Sequence, residues 1–312
     1  MTRTCDEKRS TGDWLKQVRV GEMRQAGGLQ IFGLFLEQQP GPDYLTLDEA
    51  TAGGRFEVVE INESGSVPTL KVVNPNDMAV FLMAGEHLVG GKQNRVLNAS
   101  LLVPANTTLP IPVSCVERGR WGYRGATFSG SGTSSHSTLR RMMHSSCTDS
   151  YRRSGKAGSD QTQVWREVDR RLTESGSISD TQHLAQAYDD TELVLRPMAE
   201  QLPVPEGACG AAFAFGGRII GLDLFDRPRT LALLWPKLVR AYGIDAHYAA
   251  AEGEVQREQV ERWLSEVAPT SEEVFRSAGA GEDARLDAPT LLAACLRVED
   301  RLVHLEAFAQ GN

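Results

Sequence analysis

Phe56-Glu-Val-Val-Glu-Ile61, Thr69-Leu-Lys-Val-Val73, Ala79-Val-Phe-Leu-Met-Ala84, Val96-Leu-Asn-Ala-Ser-Leu-Leu-Val103 and Thr108-Leu-Pro-Ile-Pro-Val-Ser-Cys-Val116 succeed one another as short apolar segments. Turn residues separate them, notably at Asn74-Pro-Asn-Asp77 and Pro104-Ala-Asn-Thr107. Short strands at such regular spacing predict a β-sandwich or barrel. The N-terminal half therefore reads as a β-rich, sandwich-like lobe.

On the N-terminal side of these segments, Leu29 to Glu37 reads as a further strand, and Thr46-Leu-Asp-Glu-Ala as the start of a short helix with a capping threonine. Asp13 to Arg24 has turn-and-helix character, with Trp14 as an anchor, and residues 1–12 form a polar, disordered lead-in. On the C-terminal side, Tyr123 to Ser159 is rich in Ser, Gly and Arg and reads as a mobile loop. Its arginines (Arg124, Arg140, Arg141, Arg152, Arg153) also suit a lid that closes on an anion. Helices are expected over Gln161 to Glu174, Thr181 to Gln201, Pro228 to Tyr242 and Glu254 to Val267. Hairpins are expected at Gly207 to Phe225, turning at Gly216-Gly217, and at Leu291 to Phe308. The fold class is α+β, divided into a lobe at 13–122, the 123–160 loop and a mixed lobe at 161–312 that packs on the first.

The 312 residues are 41% hydrophobic and 24% charged, enough apolar material to bury a core and too much for a disordered chain. A net charge of −8 opposes duplex nucleic acid, while a small anionic ligand stays open. No stretch has the length and apolarity of a signal peptide or membrane span, so the expected location is the cytoplasm, with no membrane partner. Five scattered cysteines without a C-x-x-C pair, and six histidines without metal-ligand spacing, predict reduced thiols and no metal site. Neither a cofactor nor an oligomeric state can be read from the chain.

The densest polar cluster is Gly85-Glu-His-Leu-Val-Gly-Gly-Lys-Gln-Asn-Arg95, set between two apolar strands. Gly90 and Gly91 permit close backbone approach, and Lys92 and Arg95 bring positive charge beside amide donors, which suits a phosphate or carboxylate. The cluster is not a P-loop, because Gln93 stands where the hydroxyl would be required. A second cluster, Ser114-Cys-Val-Glu-Arg-Gly-Arg-Trp121, puts Cys115 and Glu117 on one strand face. Glu117 or Glu86 is the candidate general acid or base, Arg120 an anion clamp and Trp121 a stacking surface. The competing reading has Cys115 in the core, Glu117 paired with Arg120, and Trp121 covering a sheet edge. Cys115 and His87 are expected as pocket walls, and Asp223, in Gly221-Leu-Asp-Leu-Phe225, as a third carboxylate or a helix cap.

Gly85-Glu86, Gly90-Gly-Lys-Gln-Asn-Arg95, Pro112-Val-Ser-Cys-Val-Glu117 with Gly119-Arg-Trp121, and Leu222-Asp-Leu-Phe225 resemble the ADP-ribosylglycohydrolase- and rhodanese-phosphatase-associated protein family. The resemblance spans roughly Leu29 to Tyr242 and is strongest between Glu86 and Trp121. Its motif positions here are Glu86, Lys92, Gln93, Arg95, Cys115, Glu117, Arg120, Trp121 and Asp223. The resemblance implies a nucleotide-like ligand connected with NAD and ADP-ribose metabolism. The expected function is accordingly a hydrolase or transferase of ADP-ribose or a similar phosphorylated ligand. Alternatives are a non-catalytic nucleotide sensor or adaptor, or a partner-binding protein that uses the 123–160 loop.

Overall fold

The computed structural model describes residues 9–37, 40–249, 253–266 and 272–310. Most of the proposed lead-in, residues 1–8 with Cys5, lies outside the described residues. The chain enters through helix α1 (Thr11–Gln17), started by a reciprocal Ser10–Asp13 capping box, and Trp14 is buried as an anchor. Helical character ends at Val18, whose backbone is extended. The remainder of the expected turn-and-helix segment is strand instead: β1 (Arg19–Ala26) turns into β2 (Leu29–Phe35).

Next come β3 (Tyr44–Thr46) and α2 (Leu47–Ala52), where Thr46 and Glu49 form the expected capped start. Strands β4 (Glu57–Glu60), β5 (Thr69–Asn74), β6 (Ala79–Leu82), β7 (Glu86–Gly90), β8 (Arg95–Leu97), β9 (Leu101–Val103) and β10 (Thr107–Cys115) then realise the strand-rich reading. The Glu86 to Arg95 run is thus largely a hairpin between β7 and β8, not a loop between other strands.

Tyr123 to Ser159 departs most from expectation. It holds β11 (Thr127–Ser134) and the 18-residue helix α3 (Ser137–Ser154). The segment resembles a linker because many of its buried residues are polar and its apolar ones (Phe128, Leu139, Met143, Cys147, Tyr151) are widely spaced. Ser134, Ser135, His136 and Ser137 are all buried, and fixed partners replace apolar contacts: Ser135 meets His87, His136 meets Glu167, and Ser137 donates to Asp245. Arg140 is likewise buried and paired, so a lid built from these arginines does not describe this segment.

The rest of the chain runs α4 (Gln161–Ser175), α5 (Ala185–Asp190), α6 (Glu192–Gln201), β12 (Gly210–Phe215), β13 (Arg218–Phe225), α7 (Pro228–Tyr248), α8 (Arg257–Ser265), β14 (Glu273–Arg276), β15 (Glu282–Ala288), β16 (Leu291–Val298) and β17 (Arg301–Ala309). Both hairpins fall where the alternation puts them, the first reversing at Gly216-Gly217, where both glycines have positive φ. The single helix expected over Thr181 to Gln201 is broken at Thr191 into α5 and α6.

The strands assemble into an eight-stranded sheet ordered β1-β2-β12-β13-β17-β16-β15-β14, a closed barrel of β10-β5-β4-β11-β7-β8, and a small sheet of β3-β6-β9. The protein has an α+β fold. Two boundaries shift from the expected lobes: β1 and β2 pair into the C-terminal sheet through β2–β12, and β11 closes the barrel beyond residue 122. Strand β2 is buried along nearly its whole length, so it needs a partner on each side. The barrel interior is apolar, with Val58, Leu70, Val72, Leu88, Leu97, Ile111, Val113 and Phe128 in one cluster. Among the described residues, no helix is long and apolar enough to cross a membrane.

Candidate functional site at the barrel mouth

Strand alternation places the site. Glu60, Arg95 and Cys115 lie two residues beyond Val58, before Leu97 and beyond Val113, on the faces those interior residues use. Cross-strand pairing brings Arg95 opposite Cys115. One end of the apolar barrel is therefore polar. The turn from Gly91 to Asn94 and the segment ending in Trp121 and Tyr123 cover that end.

Arg95 is fully buried, yet only its Nη1 is bonded, to the Gln93 backbone oxygen (2.9 Å) and Gln93 Oε1 (3.3 Å). Its Nε and Nη2 have no hydrogen-bond partner, and neither does Glu60 Oε2. The two side chains approach at 3.9 Å between Arg95 Nη2 and Glu60 Oε1, which accepts from the Lys92 amide at 3.1 Å. Buried polar atoms left without partners are candidates for a further partner such as a water, an ion or a ligand group. Above them the Trp121 ring is 5.8 Å from the Arg95 guanidinium, and Lys92 Nζ sits 5.5 Å from Trp121 and 5.1 Å from Tyr123. Trp121 and Tyr123 are 51% and 55% exposed, large aromatic faces open to solvent beside buried charge.

Glu117 and Arg120 form a frame and not a reactive pair. Arg120 donates to both Glu117 oxygens, at 3.0 and 2.6 Å, and to the carbonyls of Gly91 (2.8 Å) and Gly122 (2.7 Å). The Asn94 amide donates to Glu117 at 3.1 Å, and Asn94 Oδ1 accepts from the Gly90 amide. Burial pushes the Glu117 carboxyl up, but the Arg120 bond and the Asn94 amide outweigh it and hold it below its usual range. A carboxylate with such partners is a poor proton acceptor, and Arg120 has no free fork for an anion. The competing pairing of Glu117 with Arg120 describes the geometry.

The glycines also serve a different end from the one expected. A Cβ on Gly90 would lie 2.3 Å from the Thr127 carbonyl, and one on Gly91 would lie 2.1 Å from the Phe128 ring. The close approach is that of β11 closing the barrel, and the Gly90 and Lys92 amides are already bonded to Asn94 and Glu60. Cys115 donates to Gln93 Oε1 at 3.1 Å, and burial pushes its thiol up to about 11, which fits a wall and not a nucleophile.

Glu86 and Asp223 lie in other networks. Glu86 accepts from the Met83 amide (2.7 Å) and from buried Lys237 (2.6 Å), which also pairs with Asp48. Asp223 accepts both nitrogens of the Arg140 fork at 2.9 and 2.5 Å, His304 at 3.1 Å and the Tyr242 hydroxyl at 3.2 Å. Burial raises the Asp223 carboxyl, but Arg140 and His304 outweigh it and hold it far below its usual range. Glu306 shares Arg140 at 2.8 Å and is held down to about 2, with bonding to His144 and the Arg140 charge overcoming burial. Asp223 thus anchors the packing of α3 on the large sheet and does not cap the helix after it. The structure unites Lys92, Gln93, Arg95, Cys115, Glu117, Arg120 and Trp121, and leaves Glu86, His87 and Asp223 elsewhere. It adds Glu60, whose phase with Val58 was its only signal in the sequence. Among the described residues, no group of three or more His, Cys, Asp or Glu is arranged to hold a metal.

His87 carries a pH dependence. It is buried, its Nε2 meets Ser135 Oγ at 2.8 Å, and its Nδ1 has no partner. Burial, reinforced by the charges of His183, His136 and Lys237, lowers its pKa from 6.5 to about 3. Between these values the unfolded chain takes up a proton that the folded chain refuses, so stability falls as pH drops below 6.5. Urea unfolding across this range is expected to show that decline, and His87→Gln to flatten it above pH 5. An unchanged slope in the variant would remove His87 as the cause.

The fold and site define an α+β protein in which a closed barrel with a charged, aromatic-rimmed mouth is joined to a large antiparallel sheet. The sequence model of the ARG and Rhodanese-Phosphatase-superfamily-associated Protein domain, ARPP-1, matches residues 17–308, and the chain belongs to that family. No curated protein and no solved structure matches it.

Proposed function

We propose that the barrel mouth binds a phosphorylated nucleotide of the ADP-ribose class, and that the protein acts on it as a hydrolase or transferase. The observation that carries the reading is the Arg95 guanidinium, fully buried, with its Nε and Nη2 unbonded beneath an exposed tryptophan. A planar fork with two free donors suits a phosphate or carboxylate, and Trp121 and Tyr123 suit a base or sugar face. The family's named association with ADP-ribosylglycohydrolase and rhodanese-phosphatase proteins supports the same ligand class. Glu60 replaces Glu86 and Glu117 as the candidate general base, because one of its oxygens is unbonded.

A non-catalytic nucleotide sensor is the second reading, favoured by the full engagement of Glu86, Glu117 and Asp223 in internal pairs. Calorimetric titration with ADP-ribose, ADP and adenosine, with turnover followed by chromatography, separates the two. The enzyme reading expects ADP-ribose and ADP to bind more tightly than adenosine, and Glu60→Gln to lose turnover while retaining binding. Binding without wild-type turnover favours the sensor. Absence of binding by either phosphorylated ligand up to about 1 mM would overturn both.

A further inference from the structure

A cavity lies away from the barrel mouth, with which it shares no lining residue. It opens between the β12–β13 hairpin, α8, the end of β17 and the first turns of α3, and has a volume of about 470 Å³. That is the size of a small-molecule site. Its floor is apolar, with Phe215, Ile219, Val255 and Trp263 contributing. Its charged lining residues are Arg141 and Arg218, and no Asp or Glu lines it among the described residues.

This charge pattern runs against the rest of the chain, which has 41 acidic residues to 33 basic ones. Arg141 is exposed and its side chain is unpaired among the described residues, whereas its neighbour Arg140 is drawn inward to Asp223 and Glu306. Two carboxylates bonded to its lining residues are already committed. Asp245 accepts from Ser137 and Thr138 and pairs with Arg171, and Asp287 accepts from Gln310. Thr290 also lines the cavity, and its hydroxyl is buried there without a partner.

From this placement we infer that the cavity is a binding site for a small organic anion, an apolar or aromatic body with one anionic head held by Arg141. The floor buries the body, the arginine selects the head, and the Thr290 hydroxyl gains a partner.

The probe is 8-anilinonaphthalene-1-sulfonate, which has an aromatic body and one anionic head, with its neutral analogue N-phenyl-1-naphthylamine as control. Fluorescence titration of the full-length protein is expected to show saturable binding of the sulfonate, at least tenfold tighter than the neutral amine. Arg141→Glu is expected to weaken it at least tenfold, and Ala309→Phe, which fills the cavity, to weaken it similarly, with melting temperatures confirming that both variants fold. Arg95→Met is expected to leave dye binding unchanged, so failure of the barrel-mouth reading and failure of this one are distinguishable. Absence of saturable binding, equal affinity in Arg141→Glu and wild type, or loss of binding in Arg95→Met instead would each overturn the proposal.

Discussion

Arg140→Met is expected to destabilise the protein by about 3–5 kcal/mol, the scale for breaking a buried ion pair from one side. Arg140 donates to Asp223 and Glu306, and all three side chains are buried. Methionine replaces the stem but leaves two carboxylates with the His304 and His144 rings and the Tyr242 hydroxyl as their remaining partners. Such a loss is a large part of the roughly 5–15 kcal/mol that typically separates folded from unfolded states. Urea unfolding at neutral pH measures it. Adding Asp223→Asn and Glu306→Gln to the same chain is expected to recover part of the loss, since the uncompensated charge is then gone. A loss below about 1 kcal/mol for Arg140→Met would show that the two carboxylates reach water or protonate without penalty.

Arg95→Met is expected to have the opposite profile. Arg95 is as deeply buried as Arg140, but its Nε and Nη2 are unpartnered and its nearest carboxylate oxygen is 3.9 Å away. Removing it deletes a poorly bonded buried charge, so stability should change by no more than about 1 kcal/mol, in either direction. On the proposed function, removal should cost phosphorylated-ligand binding about 2–5 kcal/mol, roughly thirtyfold to several thousandfold. Thermal melts and calorimetric titration of one preparation read both quantities. A large stability loss with unchanged ligand affinity would make Arg95 a structural residue of the barrel and sink its assignment to an anion.

The two arginines show why the site was only half legible. Gln93, Arg95, Cys115 and Trp121 were recognisable because they sit in two short polar runs interrupting apolar strands, and strand pairing brought those runs together. Glu60 was hidden inside Phe56 to Ile61, where Glu57 and Glu60 occupy opposite phases of a four-residue strand and only closure of the barrel turns one of them inward. Glu86 looked equivalent to Glu117 by composition. Its partner, however, is Lys237, 151 residues away, whereas Glu117 meets Arg120 three residues on.

Local elements were written in the chain: the capped start at Thr46, the hairpin at Gly216-Gly217, the helix from Gln161, and the succession of strands from Phe56 to Val116. Each depends on near-neighbour periodicity, capping or turn chemistry, and these act within a few residues. Folding in three dimensions was needed to close those strands into a barrel with β11, to order Thr127 to Ser154 as strand and helix, and to commit particular carboxylates to partners. Buried polar groups are stabilised by specific distant partners, and that is why local patterning misses them. Ser135 with His87, Asp223 with Arg140 and Lys237 with Glu86 leave no periodic trace in the chain that contains them.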